Sequence, residues 1–485
     1  MYDAVVVGGG PNGLAAALTL LEAGASVAVF ERDDVVGGGA RSSLLTLPGF
    51  VHDPWSAIHP MTVASPFFRR ADLGIDWAQP DAPFAHVLDG GRAVTVERSI
   101  GDTASQLGGD GSSYRRLVRP FVRDWERLVE GLLAPALPAH EIRRLAAFGL
   151  RGARSPQGLA RRFGGEEARA LIAGIGAHAM LPLERLPGGA VALLFAVLGH
   201  AVGWPAPRGG AGRIADALGE AVFDSGGEIF TGVNVTSLAD LPPARRVLLD
   251  TSARAALDIA GDRIPGWRAR RLRRQRLGPG VCKVDWALDG PVPWTAATAR
   301  RAGTIHVGGT FEEVADSERR VWRGEHPERP FVLAAQHTVF DSSRAPDGQH
   351  TLWAYCHVPN GSDVDMAERM EAQIERFAPG FKDLVLGRHV MTARDVGARS
   401  PNYVGGDINS GLQDLRGHFL RPGLVDPYKI GDGLFLCSSA TPPGGGVHGM
   451  CGYHAARRAL RSGAPPSSSP PSSRSVDQEE RISLL

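Results

Sequence analysis

The sequence is poor in lysine and cysteine and carries no excess of either charge. Its formal net charge is +1 at pH 7, and its lysines are Lys283, Lys382 and Lys429 alone. Binding to nucleic acid requires a basic excess that neutralises phosphate groups, so we expect no nucleic-acid partner. The four cysteines lie far apart without a C-x-x-C pair, so we expect no zinc site or redox dithiol, and no other metal site is indicated.

A long hydrophobic run is also absent. The longest apolar segment, "AVALLFAVLGHAV" from Ala190 to Val202, is shorter than the roughly 20 residues that cross a bilayer, and it is interpreted as a buried helix. The chain starts "MYDAVVVGGG", without a basic segment followed by an apolar one, so we expect no signal or transit peptide. With 485 residues, 43% of them hydrophobic, the chain can bury a large core, and we expect a reduced cytoplasmic protein.

The N-terminal segment "AVVVGGGPNGLAAALTLLEAGASVAVFERDD" has the pattern of a dinucleotide site. Gly8 permits a tight turn after a strand, Gly10 lets the backbone approach a pyrophosphate, and Gly13 lets helix and strand pack closely. The helix N-terminus then faces the negative charge. Glu31, at the end of the next strand, is placed to accept hydrogen bonds from a ribose hydroxyl. The motif predicts an adenosine-containing dinucleotide but does not choose between NAD and FAD.

The following segment, "ERDDVVGGGARSS", adds a glycine pair and an arginine. This pattern resembles the extended glycine-pair signature of the flavin amine oxidase and phytoene desaturase superfamily. The segments "GFVHDPWSAIHP", "PRGGAGRIADALGEAVFDSGGEIFTGVNVTSL" and "GLFLCSSATPPGGGVHGMCGYHAA" look, in order and spacing, like its phytoene dehydrogenase-related branch. The resemblance implies that the cofactor is FAD. The contacts that it implies along the diphosphate and at the adenine are Arg32, Gly37, Gly38, Arg41 and the backbone near Val235.

A second G-x-G-x-x-G occurs near the C-terminus, at Gly444, Gly446 and Gly449. An independent dinucleotide site would need a further strand ending in an acid by about residue 470. The chain instead becomes rich in proline and serine, and we interpret residues 463–485 as a disordered tail. We therefore predict that a strand, a glycine-rich turn and a helix N-terminus close over the flavin end of the same FAD, with contacts from Gly445, Gly446 and Val447.

The expected fold class is α/β, with a Rossmann-type FAD-binding domain that is discontinuous in sequence. We assign residues 1–75, 205–255 and 416–462 to this domain. Residues 76–204 and 256–415 are assigned to a mixed α+β substrate domain, in which the arginine- and leucine-rich stretch from about Tyr114 to Gly203 forms a helical insert. The segments "VCKVDWAL", "GTIHVGG", "FVLAAQ" and "HTLWAYCHV" are its candidate strands.

The resemblance implies an FAD-dependent oxidoreductase that moves a hydride from an apolar small-molecule substrate to flavin N5. Oxygen, a quinone or another acceptor then reoxidises the flavin. His448, in the C-terminal turn, and His59, in "GFVHDPWSAIHP", are the candidate catalytic residues, because a histidine beside the flavin can serve as a general base or hydrogen-bond donor. An equal alternative for His448 is structural packing under its turn.

Two other functions stay open from the sequence. An amine oxidase would call for an aromatic cage around the flavin, and Tyr403 and Tyr453 are isolated in the sequence. A protein that holds FAD for structure and regulates partners is the role proposed for a mitochondrial relative. The arginine-rich run from Trp267 to Gly280 is interpreted as a solvated helix face, with peripheral membrane contact as the alternative. The sequence leaves the substrate and the oligomeric state open.

Overall fold

A computed structural model describes residues 1–135, 138–414, 417 and 426–462. The predicted tail, residues 463–485, lies outside this range. The strands are β1 (Ala4–Val7), β2 (Val27–Phe30), β3 (Trp77–Ala78), β4 (Ala82–Leu88), β5 (Arg92–Val96), β6 (Ala206–Pro207), β7 (Glu228–Phe230), β8 (Val247–Leu249), β9 (Gly280–Leu288), β10 (Ala302–Val307), β11 (Val332–Ala335), β12 (His350–Val358), β13 (Val385–Met391), β14 (Lys429–Gly431) and β15 (Leu434–Leu436).

The helices lie between these strands and in one long helical region. They are α1 (Pro11–Leu21), α2 (Pro60–Ala64), α3 (Pro66–Ala71), α4 (Ile100–Ser105), α5 (Gly111–Arg123), α6 (Trp125–Leu132), α7 (Ile142–Gly152), α8 (Pro156–Ala160), α9 (Glu166–Ala177), α10 (Gly188–Ala201), α11 (Gly212–Asp224), α12 (Ala253–Ala260), α13 (Gly266–Arg273), α14 (Phe311–Trp322), α15 (Ala367–Phe377), α16 (Ala393–Arg399) and α17 (Met450–Leu460). No helix of the described residues is long and apolar enough to cross a membrane.

The first sheet has the strand order β14-β15-β8-β1-β2-β7. All its neighbouring pairs are parallel except β14 with β15. Strand β1 reads "AVVV" and is buried throughout, as expected of a parallel strand covered on both faces. Its alternate side chains pack against α1, α11 and α17 on one face and against α12 and α13 on the other. This arrangement is the α/β Rossmann-type sheet that the N-terminal motif predicts, and it is assembled from three separate parts of the sequence.

The second sheet has the order β13-β9-β12-β11-β10-β4-β5 and is antiparallel except between β10 and β4. Every residue of β9 is buried, because both faces of the sheet are covered. One face packs with α15, whereas the other faces the helices α5 to α10. The four segments proposed as strands from the sequence form β9, β10, β11 and β12, and the stretch from Tyr114 to Gly203 contains most of α5 and the helices α6 to α10, joined by turns.

One domain boundary differs from the expected position. Helices α12 and α13 pack their apolar residues, including Ala256 and Leu272, against the first sheet beside Val5 and Leu434. The first structural unit therefore extends to Arg273 instead of ending at residue 255. The buried residues of α13 are Ala269 and Leu272, and Arg270 and Arg273 of this helix are exposed. Arg268 is half-buried and donates to the Asp426 and Lys429 carbonyls.

A buried ion-pair network joins the chain between the two sheets. The Arg344 guanidinium is fully buried, and it donates to Asp53 Oδ2 at 2.5 Å and to Asp341 Oδ2 at 3.0 Å. Asp53 also accepts the Ala211 N–H at 2.8 Å, and Arg344 donates to the Pro207 carbonyl at 2.9 Å. Three segments that are distant in sequence, around residues 53, 207–211 and 341–344, are therefore held together by this network.

We expect Arg344→Met to destabilise the protein strongly, because removal of one partner leaves two buried carboxylates uncompensated. The expected loss is about 3–5 kcal/mol of unfolding free energy, measured by urea titration of the purified protein. Arg320→Met is the matched control, because Arg320 forms only exposed pairs with Asp316 and Glu325. Equal unfolding midpoints for the two variants would contradict the structural role of the network.

Many histidines are buried, and this predicts a pH-dependent stability. Burial lowers the pKa of His52, His59, His86, His178, His200, His306, His337, His448 and His454. The folded state keeps these imidazoles neutral, whereas the unfolded chain binds protons near pH 6.5. Stability is therefore present above pH 6.5 and is lost as the pH falls below it.

Three carboxyl groups, Asp216, Asp250 and Asp285, act in the opposite direction, because burial raises their pKa values. Burial raises the pKa of Asp250 to about 7 and that of Asp285 to about 6, so both take up protons in the folded state. The histidines outnumber these carboxyl groups, so we expect the midpoint temperature of thermal unfolding to decrease as the pH is lowered from 7 to 5. Scanning calorimetry across this range checks the sign, and a midpoint that rises on acidification would contradict it.

Candidate active site

One cavity of ≈ 910 Å³ lies between the two sheets. Its first wall is the glycine-rich loop after β1, with Gly8 and Gly10. The opposite wall is one face of the second sheet. The side chains of this face come from alternate positions of neighbouring strands, as the period of a strand requires. Those that line the cavity are Val281, Lys283, Thr304, Leu333, Trp353 and Tyr355.

The glycine loop is packed too closely to hold side chains. Gly8 has φ +102°, and a Cβ there would lie 2.7 Å from the Asp250 carbonyl oxygen. At Gly10, a Cβ would lie 2.7 Å from Asp250 Oδ2, and at Gly13 it would lie 2.0 Å from the Gly8 carbonyl oxygen. Helix α1 begins at Pro11, so its N-terminus meets the cavity beside Gly10. The loop therefore offers backbone and a positive helix end to an anionic group.

Asp250 is a site residue that the sequence reasoning missed. It follows β8, which is parallel to β1, and its Oδ2 accepts the Gly13 N–H at 2.8 Å. Burial raises the pKa of this carboxyl group to about 7, and the charge of Glu31 raises it further, although the Gly13 bond lowers it. A large neutral fraction at pH 7 limits the repulsion of a nearby phosphate group. The available signal was "LLDTS", an acid that directly follows a buried strand.

Glu31 lies at the end of β2, as the motif predicts. Its Oε2 accepts the Gly9 N–H at 2.7 Å and its Oε1 accepts the Asp33 N–H at 2.9 Å. Each carboxylate oxygen keeps a further lone pair for a ribose hydroxyl. Arg41 lies 3.5 Å from Glu31 and forms an ion pair with Asp33. Arg32 donates to the Arg399 carbonyl at 2.9 Å, and both arginines line the cavity.

The glycine pair folds across the first glycine loop. The Gly37 N–H donates to the Gly9 carbonyl at 2.8 Å, and a Cβ at Gly38 would lie 2.9 Å from the Gly10 Cα. Gly38 lines the cavity, whereas Gly37 lies behind it. Val235 lines the cavity on the same side as Glu31, together with its neighbours. The structure thus brings together the sequence-predicted residues of the first motif and the glycine pair.

The C-terminal glycine turn belongs to the same site. Strand β15 is parallel to β8, so the turn that follows it reaches the same edge of the first sheet as the loop after β1. Gly446 and Val447 line the cavity, and Gly445 packs behind them against Asn409. Helix α17 then packs on α1 so closely that a Cβ at Gly452 would lie 1.8 Å from the Asn12 carbonyl oxygen.

His448 lies under this turn and does not line the cavity. Its Nδ1 accepts the Met450 N–H at 3.1 Å, and its Nε2 lies 3.2 Å from the Gly444 carbonyl oxygen, to which it donates. Burial lowers its pKa to about 4, so the ring is neutral at pH 7. Both ring nitrogens are used within the turn, and this geometry favours the structural alternative for His448.

His59 lines the cavity. Its Nδ1 lies 3.3 Å from Thr62 Oγ1, and its buried Nε2 has no partner. Thr62 Oγ1 donates to the Val447 carbonyl at 2.5 Å, so His59 and the C-terminal turn are held together. Burial lowers the pKa of His59 to about 4. A neutral imidazole with one open nitrogen can exchange a hydrogen bond with a bound ligand, and a catalytic role for His59 stays a prediction.

Buried polar atoms of the cavity lining that lack a hydrogen-bond partner show whether a dinucleotide fits. Among the described residues, the buried atoms that line the cavity and lack a hydrogen-bond partner are Asn12 Oδ1, Arg41 Nε, His59 Nε2 and Trp353 Nε1. Asn12 and Arg41 flank the glycine loop, where ribose and diphosphate oxygens are expected, and His59 lies at the C-terminal turn. Buried polar atoms need partners. The residues present therefore fit a polar ligand such as FAD.

The far end of the cavity carries a lysine and several aromatic rings. Lys283 Nζ forms an ion pair with the buried Asp285 and lies 5.5 Å from the Trp353 ring centroid. Burial lowers the pKa of Lys283 and raises that of Asp285 to about 6. Trp353 and Tyr355 meet edge to face at 5.3 Å. Lys283 was not predicted from the sequence as a site residue, although a lysine and an aspartate, Asp285, inside one buried strand were a readable signal.

Comparisons with known proteins agree with this site. The family model described as DAO, FAD dependent oxidoreductase, matches residues 3–260. Pyridine nucleotide-disulfide oxidoreductase domain-containing protein 2 of Rattus norvegicus is 27% identical over 95% of this chain and 93% of its own. The neurosporene-forming phytoene desaturase of Rhodobacter capsulatus is 26% identical over 93% of this chain and 92% of its own. These matches confirm the resemblance stated from the motifs.

A solved structure shows the same fold. A putrescine oxidase redesigned in its cofactor binding superposes with a TM-score of 0.63. It is 16% identical in sequence, and the match covers 95% of this chain and 98% of that one. The family model covers more than half of the 485 residues, and it includes the glycine loop, the glycine pair and Asp250. The chain therefore belongs to the FAD-dependent oxidoreductase family, and it is an oxidoreductase that binds FAD.

Proposed function

We propose that this enzyme oxidises a neutral, largely apolar organic substrate by hydride transfer to flavin N5, in the manner of a phytoene dehydrogenase. The observation that carries the proposal is the distribution of charge along the cavity. The carboxylates of the lining are Glu31, Asp33 and Asp250, and all of them lie at the glycine-loop end. The sheet-face end is lined mainly by apolar and aromatic side chains, together with Lys283 and the uncharged Thr304 and His178.

A neutral substrate suits this arrangement better than a cation. An ammonium group at the sheet face would meet the Lys283 ammonium, and the nearest carboxylate, Asp285, is already paired with Lys283. The ring face of Trp353 already interacts with a cation, because Lys283 Nζ lies 5.5 Å from the ring centroid. An apolar skeleton, in contrast, gains from burial against Val281 and Leu333, at about 25 cal/mol for each Å² of apolar surface removed from water.

The residues of the chain supply orientation, exclusion of water and a site for the proton. Bound FAD supplies the hydride acceptor, and oxygen, a quinone or another acceptor reoxidises it. When a substrate loses a hydride and a proton, the proton needs a group that can take it. Burial moves the pKa values of Lys283 and Asp285 towards each other, so this pair can hold a proton near neutral pH. We assign this role to the pair as a relay: Lys283 Nζ passes one of its protons to Asp285 and takes the proton of the substrate, so Lys283 stays an ammonium and Asp285 ends protonated.

Amine oxidation is the second candidate function, because the tertiary structure assembles the aromatic lining that this chemistry uses. Trp55 and Tyr403 meet at 5.3 Å and line the cavity together with Trp353 and Tyr355. Tyr453, the other tyrosine considered from the sequence, packs with Phe67 and is not part of the lining. A regulatory, partner-mediated role, with the flavin kept for structure, is the third candidate and predicts a flavin that no substrate reduces.

The FAD assignment predicts the effect of a single methyl group in the glycine loop. We expect Gly10→Ala to lower the affinity for FAD by about tenfold, because its Cβ displaces Asp250 Oδ2 from the Gly13 N–H. The FAD content of the purified protein and its fluorescence titration measure the change. Gly149→Ala is the matched control, because a Cβ there meets nothing within 4 Å. Equal FAD affinities would contradict the proposed packing of the loop.

The reaction is tested by anaerobic reduction of the bound flavin. We expect bleaching of the flavin absorbance with a neutral substrate from a panel of polyenes and host extracts, and none with amines. Reduction by amines alone would favour the second candidate. A flavin that stays oxidised with every compound and extract, together with a stable co-purifying partner, would favour the regulatory role.

The variant Lys283→Met tests the role of Lys283 in the same flavin-reduction experiment. With the reducing substrate, we expect flavin reduction to slow by about a hundredfold while substrate binding stays unchanged, since a positioned proton acceptor is removed. Lys382→Met is the control, because Lys382 lies in a short helix outside the cavity lining. An unchanged reduction rate in Lys283→Met would remove Lys283 from the proposed proton transfer.

A further inference from the structure

A pair of histidines forms part of the sheet-face end of the cavity. His178 directly follows α9 and lines the cavity next to Phe195, with the two ring centroids 4.9 Å apart. Its Nε2 lies 2.9 Å from Nε2 of His306, which is buried on β10. One of these two nitrogens must therefore donate a proton to the other, and this leaves Nδ1 of His178 as the ring nitrogen available to a ligand.

The neighbouring strand decides which neutral forms are present. His86 on β4 lies directly beside His306 in the parallel pair. Its Nε2 lies 2.7 Å from the Gly309 carbonyl oxygen, which can only accept, so His86 carries its proton on Nε2 and has a lone pair on Nδ1. Burial lowers the pKa of His86 to about 4, which keeps the ring neutral.

Gly174 on α9 fills the space beside both Nδ1 atoms. An ideal Cβ on Gly174 would lie 2.5 Å from His86 Nδ1 and 2.8 Å from His306 Nδ1, so a Cα–H bond of this glycine points at both. His306 Nδ1 has no hydrogen-bond partner. A lone pair against a C–H group is acceptable there, whereas a buried N–H without an acceptor is rare and costly. His306 therefore carries its proton on Nε2.

The proton positions then propagate to the cavity. His306 Nε2–H donates to His178 Nε2, so neutral His178 must carry its own proton on Nδ1. Burial lowers the pKa of His178 to about 3 and that of His306 well below its usual value, so neither ring is charged at pH 7. The indole N–H of the nearby Trp204 is not available to a ligand, because it donates to Thr304 Oγ1 at 3.0 Å. His178 thus offers an uncharged donor in an aromatic setting.

We propose that His178 Nδ1–H anchors the substrate, and that the substrate carries a neutral oxygen acceptor, as in a ketone, aldehyde, alcohol or ether, on its apolar skeleton. A pure hydrocarbon would leave this donor unpaired, and a carboxylate would gain no ion pair from a neutral ring. His306 is a positioning residue, because it acts only by setting the tautomer of His178. The inference rests on the proposed oxidation of a neutral substrate in the same cavity.

Two probes that differ in one group test the donor. Benzylacetone and butylbenzene share a carbon skeleton, and the first has a carbonyl where the second has a methylene. We expect the FAD-loaded protein to bind benzylacetone about tenfold more tightly, followed by the perturbation of flavin absorbance and by calorimetry. In His178→Phe, the affinity for benzylacetone is expected to fall to that for butylbenzene, which itself changes less than about twofold.

A spectroscopic measurement on the unmodified protein covers the case in which His178→Phe does not fold. With ¹⁵N-labelled histidine in the FAD-loaded enzyme, the imidazole shifts of His178 are expected to show a proton on Nδ1. A proton on Nε2, or an unchanged preference for the ketone in His178→Phe, would overturn the inference. Neither the affinity measurement nor the ¹⁵N measurement requires turnover. A flavin that no neutral substrate reduces would therefore contradict the proposed function without deciding whether His178 is the donor.

Discussion

The arrangement of the whole site depends on the contact between the glycine loop after β1 and the end of β8. Gly8, Gly10 and Gly13 surround the backbone and carboxyl group of Asp250 at distances that exclude any Cβ. Asn402 extends this contact, because it donates to the Asp250 carbonyl at 3.0 Å and accepts the Ser252 N–H at 2.6 Å. A segment that follows the second sheet is thereby fixed to the cofactor loop, and the two walls of the cavity keep their separation.

Close backbone packing recurs where the last helix returns to the first. Helix α17 can lie on α1 because Gly452 has no side chain, and this contact places the C-terminal turn beside the N-terminal motif. The hydroxyl of Ser65 donates to the His448 carbonyl at 2.6 Å and holds the turn from the other side. Glycine at these positions permits helices and loops to approach closely, and the resulting cavity is bounded by segments from both ends of the chain.

Charge divides the cavity into two chemically different ends. Carboxylates and arginines surround the adenosine end, where ribose hydroxyls and phosphate oxygens need partners. The sheet face holds one paired lysine, neutral histidine and aromatic rings, since burial there disfavours any charge that lacks a partner. A hydride acceptor held between these ends meets a polar environment on one side and an apolar substrate on the other, which is the division that the proposed oxidation requires.

The sequence by itself determined the features that depend on local spacing. The glycine motif with Glu31, the glycine pair and the helical stretch follow from residues close together in the chain. The C-terminal turn was assigned to the first site because no further strand with an acid follows it. Spacing reveals these features because a strand, a turn and a helix N-terminus are made by consecutive residues. Only the tertiary structure decided that Asp250 packs on the loop, that α12 and α13 belong to the first sheet, and that His448 bonds within its own turn. It also brought Lys283, Trp353, Tyr355 and His178 to one surface, because strand register and helix packing join residues that no local pattern relates.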